Sequence, residues 1–286
     1  MADDVGRDEW ESVAEAWEAN RQRVFGFFRT ASEWLVGAVD PKPGQVVLEV
    51  AAGPGETGFL VAEAVGPEGR VISSDLAPTM VAAARRGASA RGLGNVECRV
   101  MDAQALDLAD ESVDAAISRL GLMLVPDPAA AFSELRRVVR PAGTVAYTVI
   151  GAPDQNQWMA LMMGALMQNG HQPATGDPFE LGGPFGLSSP DVNAEVLRAA
   201  GFVDVQIEQI PGAMTVTDAD DYWETQSSLA GPIKVIVEQL TGDERAAVQA
   251  TLAEMLAPFE VEGGFALPTQ LVAVRASSPS DRHHLS

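Results

Sequence analysis

Apolar residues follow two rhythms along this chain. From Val46 to Ile150, short apolar runs alternate with stretches of helical spacing. The runs ending at Glu49, Asp75 and Asp102, with Val113–Ser118 and Thr144–Ile150, read as strands. Between them, Thr57–Ala64 reads as a short helix that stops near Gly66. Pro78 opens the next helix and Gly92 closes it. Asp127-Pro128 reads as a cap and first-turn proline, for a helix running to about Val139. Upstream, Asp8–Val39 has helical spacing, with Trp10, Ala14, Trp17, Val24, Phe25, Phe28 and Leu35 on an uneven apolar face. Downstream, a helix from Ser189-Pro190 to Gly201 precedes the alternating strand Val203–Ile210, and Leu271–Val274 is the last strand. The pattern predicts an α/β fold: seven strands with helices on both faces, N-terminal helices and a helical cap.

Two insertions interrupt the alternation. In the first, Met159, Met162, Met163 and Leu166 share one helix face, followed by a Gly- and Pro-rich stretch from Gly170 to Pro190. Such a face suits an adaptable apolar pocket, core packing or a dimer interface. In the second, Thr217–Ala230 and Asp243–Leu256 read as helices, with Pro211 and Gly263-Gly264 as hinges. The expected division is residues 1–40 as an N-terminal helical lid, 41–150 as the ligand-binding core, and 151–189 as a lid or substrate insertion. Residues 190–210 then return to the core, 211–264 form the cap, 265–276 the seventh strand, and 277–286 a polar tail.

The stretch from Val46 to Gly58 orders a strand, an acid, a small-residue loop and a helix start. Glycines there let a ligand approach the backbone, and the helix start offers free N–H groups. Gly53, Gly55 and Gly58 match the dinucleotide fingerprint literally. Glu49 points the other way: a carboxylate beside the loop repels a pyrophosphate but attracts the ammonium and sulfonium of S-adenosylmethionine (SAM). Its alternative partner is an arginine elsewhere in the domain. Acids recur at 49, 75 and 102, one strand–helix unit apart, so three carboxylates line one sheet edge. Asp75 is placed to hold a ribose diol, and Asp102 to accept from the exocyclic amine of adenine. Each alone also suits a turn or a helix cap.

Leu48–Gly55, Asp75–Met80, Asp102-Ala103 and Val113–Ser118 together resemble the motif series of class I SAM-dependent methyltransferases, nearest to the ubiquinone/menaquinone-biosynthesis-like small-molecule group. The resemblance implies a Rossmann-like core with SAM as cofactor. It implies Glu49 near the methionine ammonium, with Ala51, Gly53 and Gly55 lining methionine and ribose by backbone and Thr57 also in the site. Asp75 would grip the ribose. Leu76 and Met80 would pack on the adenine, Asp102 and Ala103 would read its edge, and Ser118 and Arg119 would offer backbone near the methionine end. In the N-terminal helical stretch, Trp17 or Gln22 would touch the cofactor, the alternative being plain packing on the sheet. The family usually has glycine where this chain has Ala51.

Composition narrows the partners. A net charge of −21, with Lys42 and Lys234 the only lysines, disfavours nucleic acid and anionic membranes. No apolar run is long enough to span a membrane, and no basic, apolar signal opens the chain. The single cysteine, Cys98, forms no internal disulfide, so a cytoplasmic enzyme is expected. There is no metal-ligand spacing. The expected reaction is methyl transfer to an oxygen or carbon of an apolar small molecule. The alternatives are a nicotinamide-dependent oxidoreductase and a non-catalytic SAM-binding regulator. His171, in the Gly/Pro-rich stretch, is the candidate base, and Asn156, Trp158, Met162, Met163, Tyr222 and Trp223 are the candidate acceptor pocket.

Overall fold

The computed structural model describes residues 2–171 and 177–280, with side chains from residue 6 onward. His283 and His284 lie outside the described residues. The N-terminal helical stretch is three helices, α1 (Ala2–Ala19), α2 (Arg21–Phe27) and α3 (Arg29–Val39). Asn20 and Phe28 leave helical geometry at the joints, with ψ of 12° and 21°. Those bends have a physical reason. The apolar face is uneven, and no straight helix would bury Val13, Ala14, Val24, Phe28 and Leu35 together.

The core alternates as the apolar rhythm predicts: β1 (Val46–Glu49), α4 (Glu56–Val65), β2 (Arg70–Asp75), α5 (Pro78–Ala90), β3 (Val96–Val100), β4 (Val113–Arg119), α6 (Pro128–Val138) and β5 (Val139–Ile150). Pro78 starts α5 at its first turn, and Asp127 caps α6 by accepting from the Ala130 N–H at 3.0 Å. After β5 come α7 (Gln157–Gln168), α8 (Pro190–Ala199) and β6 (Val203–Val216). A cap of α9 (Ala219–Leu229), α10 (Gly231–Gln239) and α11 (Gly242–Leu256) follows, then β7 (Glu260–Val261) and β8 (Gly264–Ser277).

The strands form one sheet in the order β3-β2-β1-β4-β5-β8-β6, with β7 paired to β8. The first five strands are parallel, and β8 runs antiparallel between β5 and β6. The strand order reverses between β1 and β4, the position where open α/β sheets leave a crevice at their C-terminal ends.

Three elements differ from the expectation. β6 runs through Pro211 to Val216, where the sequence suggests a hinge. It is an edge strand paired only with β8, so a missing N–H can face outward. β8 is likewise longer than Leu271–Val274, because the two strands zip together from Val203↔Ser277 to Val216↔Phe265. The cap holds an additional helix, α10, whose Gly231-Pro232 is a helix start and not a break.

Separate apolar clusters cover the two faces of the sheet, and a small one joins α1 to α5. A further cluster lies between α7, the cap and the far ends of β6 and β8, and it contains Met162, Leu166, Tyr222, Trp223, Leu252 and Leu267, with Met163 against it. The methionine face of α7 is therefore core. Met162, Met163, Tyr222 and Trp223 do not form an acceptor pocket, because they are the interior that attaches the cap to the sheet.

Candidate functional site

A cavity of about 150 Å³ lies at the crevice. Its floor is Ala51, Ala52 and Gly53 after β1, and Asp75, Leu76 and Met80 after β2. Met101 to Gln104 form one end, Arg119 to Gly121 the other, and Gly6, Trp10 and Trp17 of α1 form the roof. Backbone conformation shapes the floor. Ala51, Gly53 and Gly55 all have positive φ, at 51°, 54° and 88°. These left-handed residues fold the loop tightly, so that the Gly53 N–H reaches Asp75 before α4 begins.

Asp75 ties the floor together. One carboxylate oxygen accepts from the Gly53 N–H at 2.8 Å and the other from the Ala77 N–H at 2.9 Å. Burial raises its pKa; the Ala77 and Gly53 bonds oppose that, and the charge of Glu11 adds to it. Each oxygen retains a lone pair for a ligand hydroxyl. At one end, Asp102 accepts from Gln104, backbone N–H at 2.8 Å and side-chain amide at 3.1 Å. Gln104 in turn accepts from the Asp127 N–H at 3.0 Å, which fixes its orientation.

Glu49 lies beneath the loop, 2% exposed, and does not line the cavity. Its oxygens accept from the Gly58 N–H at 3.0 Å and the Ser73 hydroxyl at 3.3 Å. Burial pushes its carboxyl up to about 8, against the lowering influence of Arg119 and the Gly58 N–H. Glu49 therefore lies under the loop expected to hold the methionine end, where it anchors the first turn of α4. The same packing explains the third glycine of the fingerprint. A Cβ on Gly58 would overlap the Glu49 carboxylate, so Gly58 serves that contact and not a pyrophosphate.

Two other expected residues sit off the cavity. Thr57 is buried with its hydroxyl 2.9 Å from that of Ser32, and Gly55 faces Phe59 and Ala84. The Ser118 hydroxyl is buried without a partner among the described residues, close to where Gly121 passes Ala51. Arg119 places its guanidinium 5.6 Å from the ring centre of Phe28, which packs edge-on against Trp158.

The α1 roof is fastened on several sides. Glu11 accepts from both the backbone N–H and the hydroxyl of Thr79, at the start of α5. Glu18 holds Arg86 of α5 with both oxygens. The Trp17 indole N–H donates to the Leu229 carbonyl at 2.7 Å, and Lys234 donates to the Ser12 carbonyl. Arg23 of α2 pairs with Asp221 of α9 at 2.7 Å.

The expected base and acceptor residues lie elsewhere. His171 follows α7 at the end far from the crevice, where its charge acts on Glu244 of α11. A 12-residue helix spans about 18 Å, which separates His171 from Asn156. Asn156 is fully buried; it donates to the Ala152 and Gln270 carbonyls and accepts from the Gln270 N–H and the Trp158 indole. Its amide joins β5 to β8. Tyr222 donates to the Trp158 carbonyl at 2.7 Å and accepts from the Met162 N–H, and burial raises its pKa. Trp158 remains at the edge of the site through Phe28. Trp10, expected only on an apolar helix face, and Gln104 and Gly121, not expected at the site, also line the cavity. The spacing of Gln104, two residues after an acid at a strand end, was the available signal. Among the described residues no cluster suits a metal ion, and no helix is long and apolar enough to cross a membrane.

Comparison with known proteins matches residues 47–143 to a methyltransferase domain. Nocamycin O-methyltransferase of Saccharothrix syringae is 33% identical over 241 residues, 80% of this chain and 84% of that protein. Demethylmenaquinone methyltransferase of Geobacillus kaustophilus is 29% identical over 194 residues, 63% of this chain and 82% of that protein. Among solved structures, the YcgJ protein of Bacillus superposes with a TM-score of 0.59 at 16% identity, covering 88% of this chain and all of that one.

Proposed function

Because this chain belongs to the class I SAM-dependent methyltransferases, we propose that it methylates an oxygen or ring carbon of an apolar small molecule, in the cleft between the Ala51–Gly53 loop and α1. Its cofactor is SAM, and the residues present suit that group. The supporting observation is Asp75, fixed by Gly53 and Ala77 in mid-cleft with a lone pair free on each oxygen. That arrangement suits a vicinal diol and not a phosphate. The buried, unpartnered Ser118 hydroxyl beside the loop offers a further polar contact.

When bound, the cofactor supplies a methyl group on a sulfonium, open to in-line displacement. This chain's part is alignment and exclusion of water. Asp75 would hold the ribose, Asp102 and Ala103 the adenine edge, and Leu76 and Met80 the adenine face. Phe28 and Trp158, packed edge to face, form an aromatic pair beyond the Arg119 end of the cleft. Such a pair favours an apolar, flat acceptor, and of the two relatives one is named for O-methylation and the other for a menaquinone precursor.

The test is incubation of the protein with methyl-labelled SAM and a small-molecule extract of its host, with mass spectrometry of the products. A labelled apolar molecule is the expected result. Label found only in protein or nucleic acid would overturn the reading.

A further inference from the structure

Arg119 ends β4 and lines the cleft opposite Asp102. A guanidinium in such a site ordinarily has its N–H groups matched to acceptors. Arg137 illustrates this: it donates to Glu134, Asp110 and the carbonyls of Leu106 and Leu108. Arg119 makes no side-chain hydrogen bond to any described residue, although two carboxylates are near enough to act on its charge. Both of those are committed elsewhere. Glu49 is bonded by Gly58 and Ser73, and Glu56 is paired with Arg21 at 3.5 Å and Arg91 at 3.4 Å. The guanidinium carbon lies 5.6 Å from the Phe28 ring centre, while its N–H groups have no hydrogen-bond partner among the described residues.

Resting on the SAM reading, we infer that the Arg119 side chain is a carboxylate clamp for the methionine end of the cofactor. The order of polar groups along the cleft supports this assignment. Asp102 with Gln104 can accept from an amine at one end, Asp75 can hold a diol in the middle, and Arg119 presents a cation at the other end. That sequence matches adenine, ribose and carboxylate. A planar guanidinium suits a carboxylate because two parallel N–H bonds fit its two oxygens. The role exceeds the backbone contact that the family resemblance implies for this position.

The experiment compares two ligands by calorimetry. S-adenosylhomocysteine carries the carboxylate, and 5′-methylthioadenosine lacks the whole amino-acid portion. Arg119→Gln should weaken S-adenosylhomocysteine at least about 30-fold and change methylthioadenosine by less than about 3-fold, with Arg119→Lys intermediate. Equal loss on both ligands, or loss on neither, would overturn the inference; the second result would move Arg119 to the acceptor or to a structural role. Should both variants fail to fold, the unmodified protein still decides. It should bind the carboxylate methyl ester of S-adenosylhomocysteine at least about 30-fold more weakly than the acid. Near-equal affinity there would also overturn the clamp. If the unmodified protein bound neither nucleoside, it is the SAM site itself that would fail.

Discussion

Ala51 and Gly121 occupy complementary positions across the cleft floor. A Cβ on Gly121 would approach the Ala51 methyl group closer than 3.0 Å and lie 3.0 Å from the Ser118 hydroxyl. Ala51 has φ of 51°, a left-handed conformation that an L-residue adopts at a cost of about 1–2 kcal/mol. The methyl group is accommodated because residue 121 has none. Gly121→Ala alone should destabilise the protein by about 1–3 kcal/mol. Adding Ala51→Gly should recover most of that loss, so a double-mutant cycle in urea should give a coupling of at least about 1 kcal/mol. Additive effects would mean that the two residues do not share this space.

Asp75→Ala removes the acceptor for two backbone N–H groups and the diol contact together. The expected result is a dissociation constant for SAM raised by at least about 100-fold, with a stability loss of about 1–3 kcal/mol and retained circular dichroism. Unchanged affinity would refute the placement of the ribose.

Glu49 should make stability depend on pH. Its carboxyl in the folded chain is pushed up to about 8, above its ordinary 4.5. Between those values the folded chain holds a proton that the unfolded chain has released. This group's contribution is therefore full below about 4.5 and is lost as pH rises toward 8. Glu49→Gln retains an acceptor for the Gly58 N–H and cannot ionise. Chemical denaturation at a series of pH values should show a flatter profile for this variant across that window, the difference approaching ~1.4 kcal/mol per pH unit.

His171→Ala should leave the turnover number and its pH profile within about 2-fold of the parent, because the residue borders α11 and not the cleft. A loss of more than about 10-fold would restore it as the base.

Glu11→Ala should loosen the roof. With the Thr79 contacts gone, S-adenosylhomocysteine should dissociate several-fold faster, about 3- to 10-fold, followed by the fluorescence of Trp10 and Trp17. An unchanged off-rate would show that α1 does not gate the site.

The parts readable from sequence were those that local physics specifies. Pro78, Gly92 and Asp127 punctuate helices wherever they occur, and the apolar runs before residues 49, 75 and 102 are strands by length and composition. The motif residues Ala51, Gly53, Asp75 and Asp102 lie at or just after a strand end, so naming the strand end locates them. The roles of the candidate pocket residues were not legible, because they are set by partners far along the chain. Tyr222 bonds Trp158, 64 residues away, and Asn156 bonds Gln270, 114 residues away. No periodicity distinguishes a buried strut from a pocket wall. Glu49 falls between these cases: its position was evident, but its direction depended on Gly58 having no side chain.

The cap leaves the sheet after Val216, and Val216 faces Phe265 of β8 in the strand register. The intervening helices are thus a single excursion whose ends already meet, as in a hairpin whose turn has been enlarged. Evolution can lengthen, shorten or exchange such an excursion without altering strand register or the nucleotide half of the cleft. The fold thereby separates two inheritances, a cofactor side written into the parallel strands and a helical excursion carried on a replaceable turn.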